Sequence, residues 1–192
     1  MNKKNVEKAI SDLLIALGEN INRTGLQETP QRVARMYEEL LSGMNEDPKQ
    51  HLKLFTENSA NSEVILVKDI PVQSICEHHL LPFIGVAHIA CIPKGNNILG
   101  ISKFARIVNC FAKRLQVQER LTDQIAKFLY ENIDVTGVLV ITEAEHLCMT
   151  IRGIKATGSK TKTIASYGVL KSDFQKRNEA IQLINQGWSS NI

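Results

Sequence analysis

Three metal-ligating side chains crowd into Ser74-Ile75-Cys76-Glu77-His78-His79-Leu80-Leu81-Pro82-Phe83. Far along the chain a second group follows in Glu145-His146-Leu147-Cys148-Met149-Thr150-Ile151-Arg152. Cys76 and His79 form a C-x-x-H pair, a spacing that lets one tight turn aim both side chains at one ion. Thiolate plus imidazole suits Zn²⁺. Cys148 supplies a third ligand. Three protein ligands leave a position for water, as in catalytic zinc sites, whereas a structural site is normally closed by a fourth. His78 is then an imidazole beside the metal and not on it. If residues 145–154 form a strand, His146, Cys148, Thr150 and Arg152 line one face. The competing reading makes the cysteines small buried hydrophobes. The histidines adjoining Cys76 and the later His-x-Cys pair favour the metal.

Two further patterns concern binding. Gly100-Ile101-Ser102-Lys103-Phe104-Ala105-Arg106 opens a helix with Ser102 as its expected N-cap. Free N–H groups and the helix dipole favour an anion there. Lys103 and Arg106 are three apart and share a face. With Arg152 they outline a polyphosphate site, although a solvated basic helix face has the same pattern. Gln118-Glu119 offers a carboxylate able to accept two N–H bonds from a guanine edge. Glutamate is favoured at any helix start, so these residues alone leave the pair an ordinary surface feature.

Composition narrows the classes. At 192 residues the chain has room for one medium domain. A net charge of +3 is too small for a nucleic-acid partner. No run is long and apolar enough to cross a bilayer, and no signal-peptide core follows Met1-Asn2-Lys3-Lys4-Asn5. Four scattered cysteines make no disulfide framework. The expected location is a reducing cytoplasm.

The elements that must position these residues follow from periodicity. Val6, Ile10, Leu13, Leu14 and Leu17 mark an amphipathic helix ending near Gly18. Thr29-Pro30 starts a second, with Thr29 as N-cap and Gly43 as its stop. Residues 45–61 are polar and turn-rich, and His51 within them is expected at the surface. Strands are expected over 64–70 and 83–92, with His88 and Cys91 structural. A helix follows from Ser102 with Cys110 packed on it, then another over 116–132. A strand pair over 138–142 and 145–154 comes next. Residues 156–163 fit a loop or an edge strand, and a final helix spans 174–188. Strand pairs so close in sequence imply antiparallel hairpins and an α+β fold. The expected division is an N-terminal helical region, 1–61, and a catalytic domain, 62–192.

The segments ETPQRVARMYEELLSG, SICEHHLLPFIGVAHIACIPK, ILGISKFARIVNCFAKRLQVQERLT and EAEHLCMTIRGI resemble GTP cyclohydrolase I, in family order over roughly Glu28 to Leu170. That resemblance implies conversion of GTP and water into 7,8-dihydroneopterin triphosphate and formate, the entry to tetrahydrofolate synthesis. It implies the tunnelling fold, an antiparallel sheet with helices on one face whose barrel closes by oligomerisation, as a homodecamer with sites at subunit interfaces. Carried over residue by residue, Cys76, His79 and Cys148 resemble the zinc ligands. His78 and His146 resemble the acid–base pair. Glu119, with Gln118 beside it, resembles the guanine anchor. Ser102, Lys103, Arg106 and Arg152 resemble the phosphate and ribose contacts. The implied chemistry is attack of a zinc-activated hydroxide on guanine C8, with His146 protonating N7 and His78 serving the ring-opening steps. Leu115 stands where the family commonly has proline, and residues 164–169 follow the family pattern loosely.

Overall fold

The structure, a computed structural model, describes residues 1–56 and 64–186. Its centre is a five-stranded sheet in the order β5-β2-β3-β6-β7. Strands β2 (Ile65–Cys76), β3 (Pro82–Pro93), β6 (Val135–His146) and β7 (Thr161–Gly168) pair antiparallel in turn, and β5 (Leu115–Gln116) lies parallel to the end of β2. A small separate sheet joins β1 (Leu54–Thr56) to β4 (Asn97–Leu99).

Alternation along β6 explains the layering. Val138 and Val140 face a core shared with helices α3 (Ile101–Ala112) and α4 (Gln118–Asn132). Leu139 and Ile141 face the opposite side, covered by Leu170 of α6 (Val169–Ser172) and by Ala180 and Ile184 of α7 (Phe174–Asn185). A strand buried on both faces reads as a continuous apolar run, as 138–141 does. On α4, Leu121, Ile125 and Leu129 recur at i, i+4 and i+8 and are fully buried. Each contributes about 1.5–3 kcal/mol by leaving water. At Gly85 β3 leaves no room for a side chain beside β6, and a Cβ there would meet Ala144 Cα at 2.6 Å.

Helices α1 (Lys3–Ala16) and α2 (Thr29–Leu40) pack on each other as the periodicity implies. Four local expectations are corrected. Glu28, not Thr29, holds the N-cap position of α2, and the Thr29 hydroxyl donates back to Gly25 O. The α2 helix ends at Leu40, and Gly43 lies inside a 3₁₀ turn, Ser42–Asn45. Gly100 holds the N-cap position of α3, with Ser102 already helical. The expected strand over 145–154 does not form: β6 is one twelve-residue strand, followed by a single helical turn, α5 (Leu147–Thr150). Residues 187–188 of the expected last helix, and 57–61 of the polar stretch, lie outside the described residues.

Candidate active site

The turn between β2 and β3 builds the first half of the site. The Cys76 N–H donates to Leu81 O and the Leu80 N–H to Cys76 O, both at 2.9 Å. Leu80 takes φ 53°, a left-handed conformation that bulky residues rarely adopt. The Glu77 N–H donates to Gln116 O at 3.0 Å, and its carboxylate is gripped by Arg120. Hydrogen bonding from that guanidinium holds the Glu77 carboxyl below its usual range. The turn is thereby tied to the start of α4, with His78 and His79 exposed on it and their ring centroids 6.4 Å apart.

The second half follows from where pairing runs out. His146 pairs with Phe83, next to the first residue of β3, so the chain beyond it has no strand to continue along. It satisfies its backbone locally instead. The Ile151 N–H donates to Leu147 O at 3.1 Å and the Thr150 hydroxyl to His146 O at 2.7 Å. This turn replaces the expected row of side chains on a strand face. It still delivers Cys148, whose Sγ lies 4.0 Å from Cys76 Sγ across 72 residues of sequence.

The ligand atoms of Cys76, His79 and Cys148 all lie within 4.8 Å of one another. Two thiolates on one tetrahedral zinc, each about 2.3 Å from it, would sit roughly 3.8 Å apart. The sulfur separation fits that ion. Arg152 Nη1 lies 3.0 Å from His79 Nε2. Guanidinium only donates, so Nε2 accepts from Arg152 here, and the guanidinium must turn aside for that nitrogen to hold a metal. Burial pushes the Cys148 thiol pKa up, and the neighbouring Cys76 pushes the same way. A bound cation would reverse that balance and favour thiolate.

His146 sits beside this cluster. Its ring stacks on Phe83 at 4.7 Å and 9°, and its Nε2 lies 2.7 Å from Gln118 Oε1. Burial lowers its pKa, while the Glu119 carboxylate works against that. Glu119, exposed in the first turn of α4, opens onto a cleft of about 400 Å³ lined also by Asp123, Thr163, Tyr167 and Lys171. Tyr167 donates to Asp123 Oδ1 at 2.6 Å, which pushes the phenol up to about 12.

The chain therefore brings Cys76, His79, Cys148, His146 and Arg152 together, with Glu119 near His146. The Gln118 side chain turns inward and is 1% exposed. Ser102, Lys103 and Arg106 fall elsewhere, at the N-terminal end of α3. Its other end is the one near the cluster, where Ala112 O accepts from the Ser74 hydroxyl at 2.7 Å. At the helical rise, Arg106 lies about 9 Å and Ser102 about 15 Å along the axis from Ala112. Among the described residues no hydrogen bond or ion pair links them to the cluster. Sequence reasoning missed Phe83, readable only as an apolar strand residue, and Arg120, which sits in the QVQER segment but whose partner Glu77 nothing in the spacing reveals.

A second group, Glu46, His51 and Cys110, also has ligand atoms within 4.8 Å of one another. Its own bonds account for it. His51 Nε2 pairs with Glu46 Oε1 at 2.7 Å, and Arg114 Nη2 donates to Cys110 Sγ at 3.5 Å. His51, expected at the surface, has a side chain only 16% exposed, because it fastens the 3₁₀ turn Pro48–His51 to Glu46.

The sequence profile of GTP cyclohydrolase I matches residues 6–185. The chain belongs to the GTP cyclohydrolase I family. It is 54% identical over 185 residues to GTP cyclohydrolase 1 of Thermoanaerobacter pseudethanolicus, covering 96% of this chain and 98% of that one. It is 50% identical to the enzymes of that name from Clostridioides difficile, over 96% of this chain and 97% of that one, and Bacillus subtilis, over 97% of each. Membership carries GTP cyclohydrolase activity, a hydrolase reaction with GTP as substrate that feeds pterin and folate synthesis. The mixed α+β sheet is consistent with the tunnelling fold of GTP cyclohydrolase I. No helix among the described residues is long and apolar enough to cross a membrane.

Proposed function

We propose that this protein converts GTP and water into 7,8-dihydroneopterin triphosphate and formate at the cluster at the β2–β3 turn. The observation that carries the reading is the convergence of Cys76, His79 and Cys148 within 4.8 Å, beside a half-buried, stacked His146. Zinc held by those three residues would supply a Lewis acid and make water nucleophilic near neutral pH. Glu119 orients guanine by accepting its N1 and 2-amino N–H bonds. His146 delivers a proton to N7 as C8 is attacked. His78, on the exposed turn and adjoining a ligand, serves the later proton transfers of purine and ribose opening. Ser102, Lys103, Arg106 and Arg152 hold ribose and triphosphate, so that the opened intermediate stays bound between steps. Residues 62–192 form the catalytic domain and 1–61 a helical region. The working form is a homo-oligomer, a decamer by family, in a cytoplasmic setting.

Incubation of the purified, zinc-loaded protein with GTP, followed by oxidation, should give the fluorescence of neopterin and one formate per pterin. Formate without pterin would restrict the reading to opening of the purine. Neither product would overturn it.

A further inference from the structure

We infer that Gln118 is a positioning residue, whose amide fixes the ring of His146 with hydrogen on Nε2. The inference rests on the acid–base role proposed for His146, but its structural half does not.

Gln118 Nε2 lies 3.0 Å from Thr142 O, 2.9 Å from Thr161 O and 3.2 Å from Thr163 Oγ1. The first two are backbone carbonyls of β6 and β7 and can only accept. The atom facing them must therefore be the NH₂ group, since a flipped amide would set three oxygens against one another. The Thr163 hydroxyl agrees with this. It lies 2.6 Å from Thr122 Oγ1, which itself donates to Gln118 O at 2.7 Å. Thr122 has then spent its proton, so Thr163 donates to Thr122 and keeps a lone pair for the Gln118 amide. Every hydroxyl in this chain has one direction only.

With the amide so fixed, Oε1 is the atom 2.7 Å from His146 Nε2. An amide oxygen only accepts, so His146 Nε2 carries hydrogen. Phe83 stacked at 4.7 Å and 9° removes the remaining freedom of the ring plane. Nδ1 is left as the nitrogen that takes up a proton and passes it to N7 of the substrate, while Nε2 keeps its hydrogen on Gln118. Gln118 is fully buried and spends both ends of its amide inside the protein, so it acts through His146 and not on GTP.

Two measurements on the zinc-loaded full chain test this. In the wild type, ¹⁵N NMR of histidine-labelled protein, with His146 assigned by its loss in His146→Ala, should show the Nε2–H form. An Nδ1–H form overturns the inference and needs no folded variant. In Gln118→Met, which keeps length and loses both bonds, kcat should fall about 10–100-fold, the range for removing a partner that orients an active group. KM and zinc content should stay unchanged and the single tautomer should be lost. A raised KM with unchanged kcat would instead make Gln118 a substrate contact, and unchanged kinetics would make it structural only; both overturn the inference. Where Gln118→Met fails to fold, the wild-type tautomer decides. A wrong role for His146 shows separately, as full turnover in His146→Ala with the Nε2–H form intact in the wild type.

Discussion

Replacing Glu119 by glutamine changes one atom and separates binding from folding. The side chain is exposed and, among the described residues, makes no hydrogen bond or ion pair, so stability should move by no more than about 0.5 kcal/mol. Against guanine the change is larger. The carboxylate accepts two N–H bonds, and glutamine offers one acceptor and one donor to the same two donors. Losing a charge-assisted bond costs about 1.5–3 kcal/mol, and the donor–donor contact adds to it. A total of about 2–4 kcal/mol is a loss of about 30–1,000-fold in kcat/KM. The assay is pterin fluorescence against GTP, with thermal unfolding as the control. Inosine triphosphate lacks the 2-amino group, so the ratio of wild type to variant should be smaller on it than on GTP. Because Glu119 also opposes the lowering of the His146 pKa, rates are to be compared across pH and not at one value. Equal GTP kinetics in variant and wild type, at every pH, would refute the assignment and return Glu119 to the surface.

Cys148→Ser should abolish zinc binding and activity together, and full metal occupancy by atomic absorption would remove Cys148 from the site. His78→Ala and His146→Ala should keep their zinc and lose about 10²–10⁴-fold in turnover. His146→Ala should be slow to release formate, and His78→Ala should release some formate but little pterin. If His78→Ala loses zinc while His79→Ala keeps it, the ligand is the other member of the pair. Mixed oligomers refolded from inactive Cys148→Ser and Lys103→Ala chains should regain part of the activity if sites are shared between copies; no recovery would place each site within one chain. Hydrogen bonding from Lys162, with help from Lys160, lowers the Glu143 pKa from 4.5 and ties β6 to β7. A carboxylate lowered on folding stabilises above its unfolded pKa, and the contribution is lost as pH falls through the folded one. Glu143→Gln should therefore flatten the loss of Tm below about pH 4.5, while a Tm profile parallel to wild type would show the pair contributes nothing measurable.

What could be read from the sequence divides by the range of the forces involved. The C-x-x-H pair was legible because a short turn sets its geometry whatever surrounds it. The strands flanking it were legible from Val and Ile content, and α4 from its apolar spacing. The strand expected through Cys148 was not, because its apolar residues continue past His146 while its partner does not. Only the start of β3 near Pro82 ends the pairing, and that is a fact about another part of the chain. Gln118 was legible as the neighbour of a guanine anchor but not as a buried amide. Its four partners come from β6 and β7, and no local pattern announces them.

The separation of the basic end of α3 from the cysteine cluster and the unfinished edges of the sheet bear on the same question. Within the chain β2 is paired on its outer side only at Ile75 and Cys76, by β5, among the described residues. Pro71 lies in the part left over, and proline is tolerated in a sheet where no N–H is required of it. At the other edge β7 has Ile164 52% exposed. Open edges invite further pairing, and closure is the arrangement that removes them. The proposed oligomer would close both edges and set the α3 terminus of one copy against the cleft of another. On that reading the triphosphate held by Ser102, Lys103 and Arg106 of one copy would belong to a nucleotide whose base lies in the cleft of another.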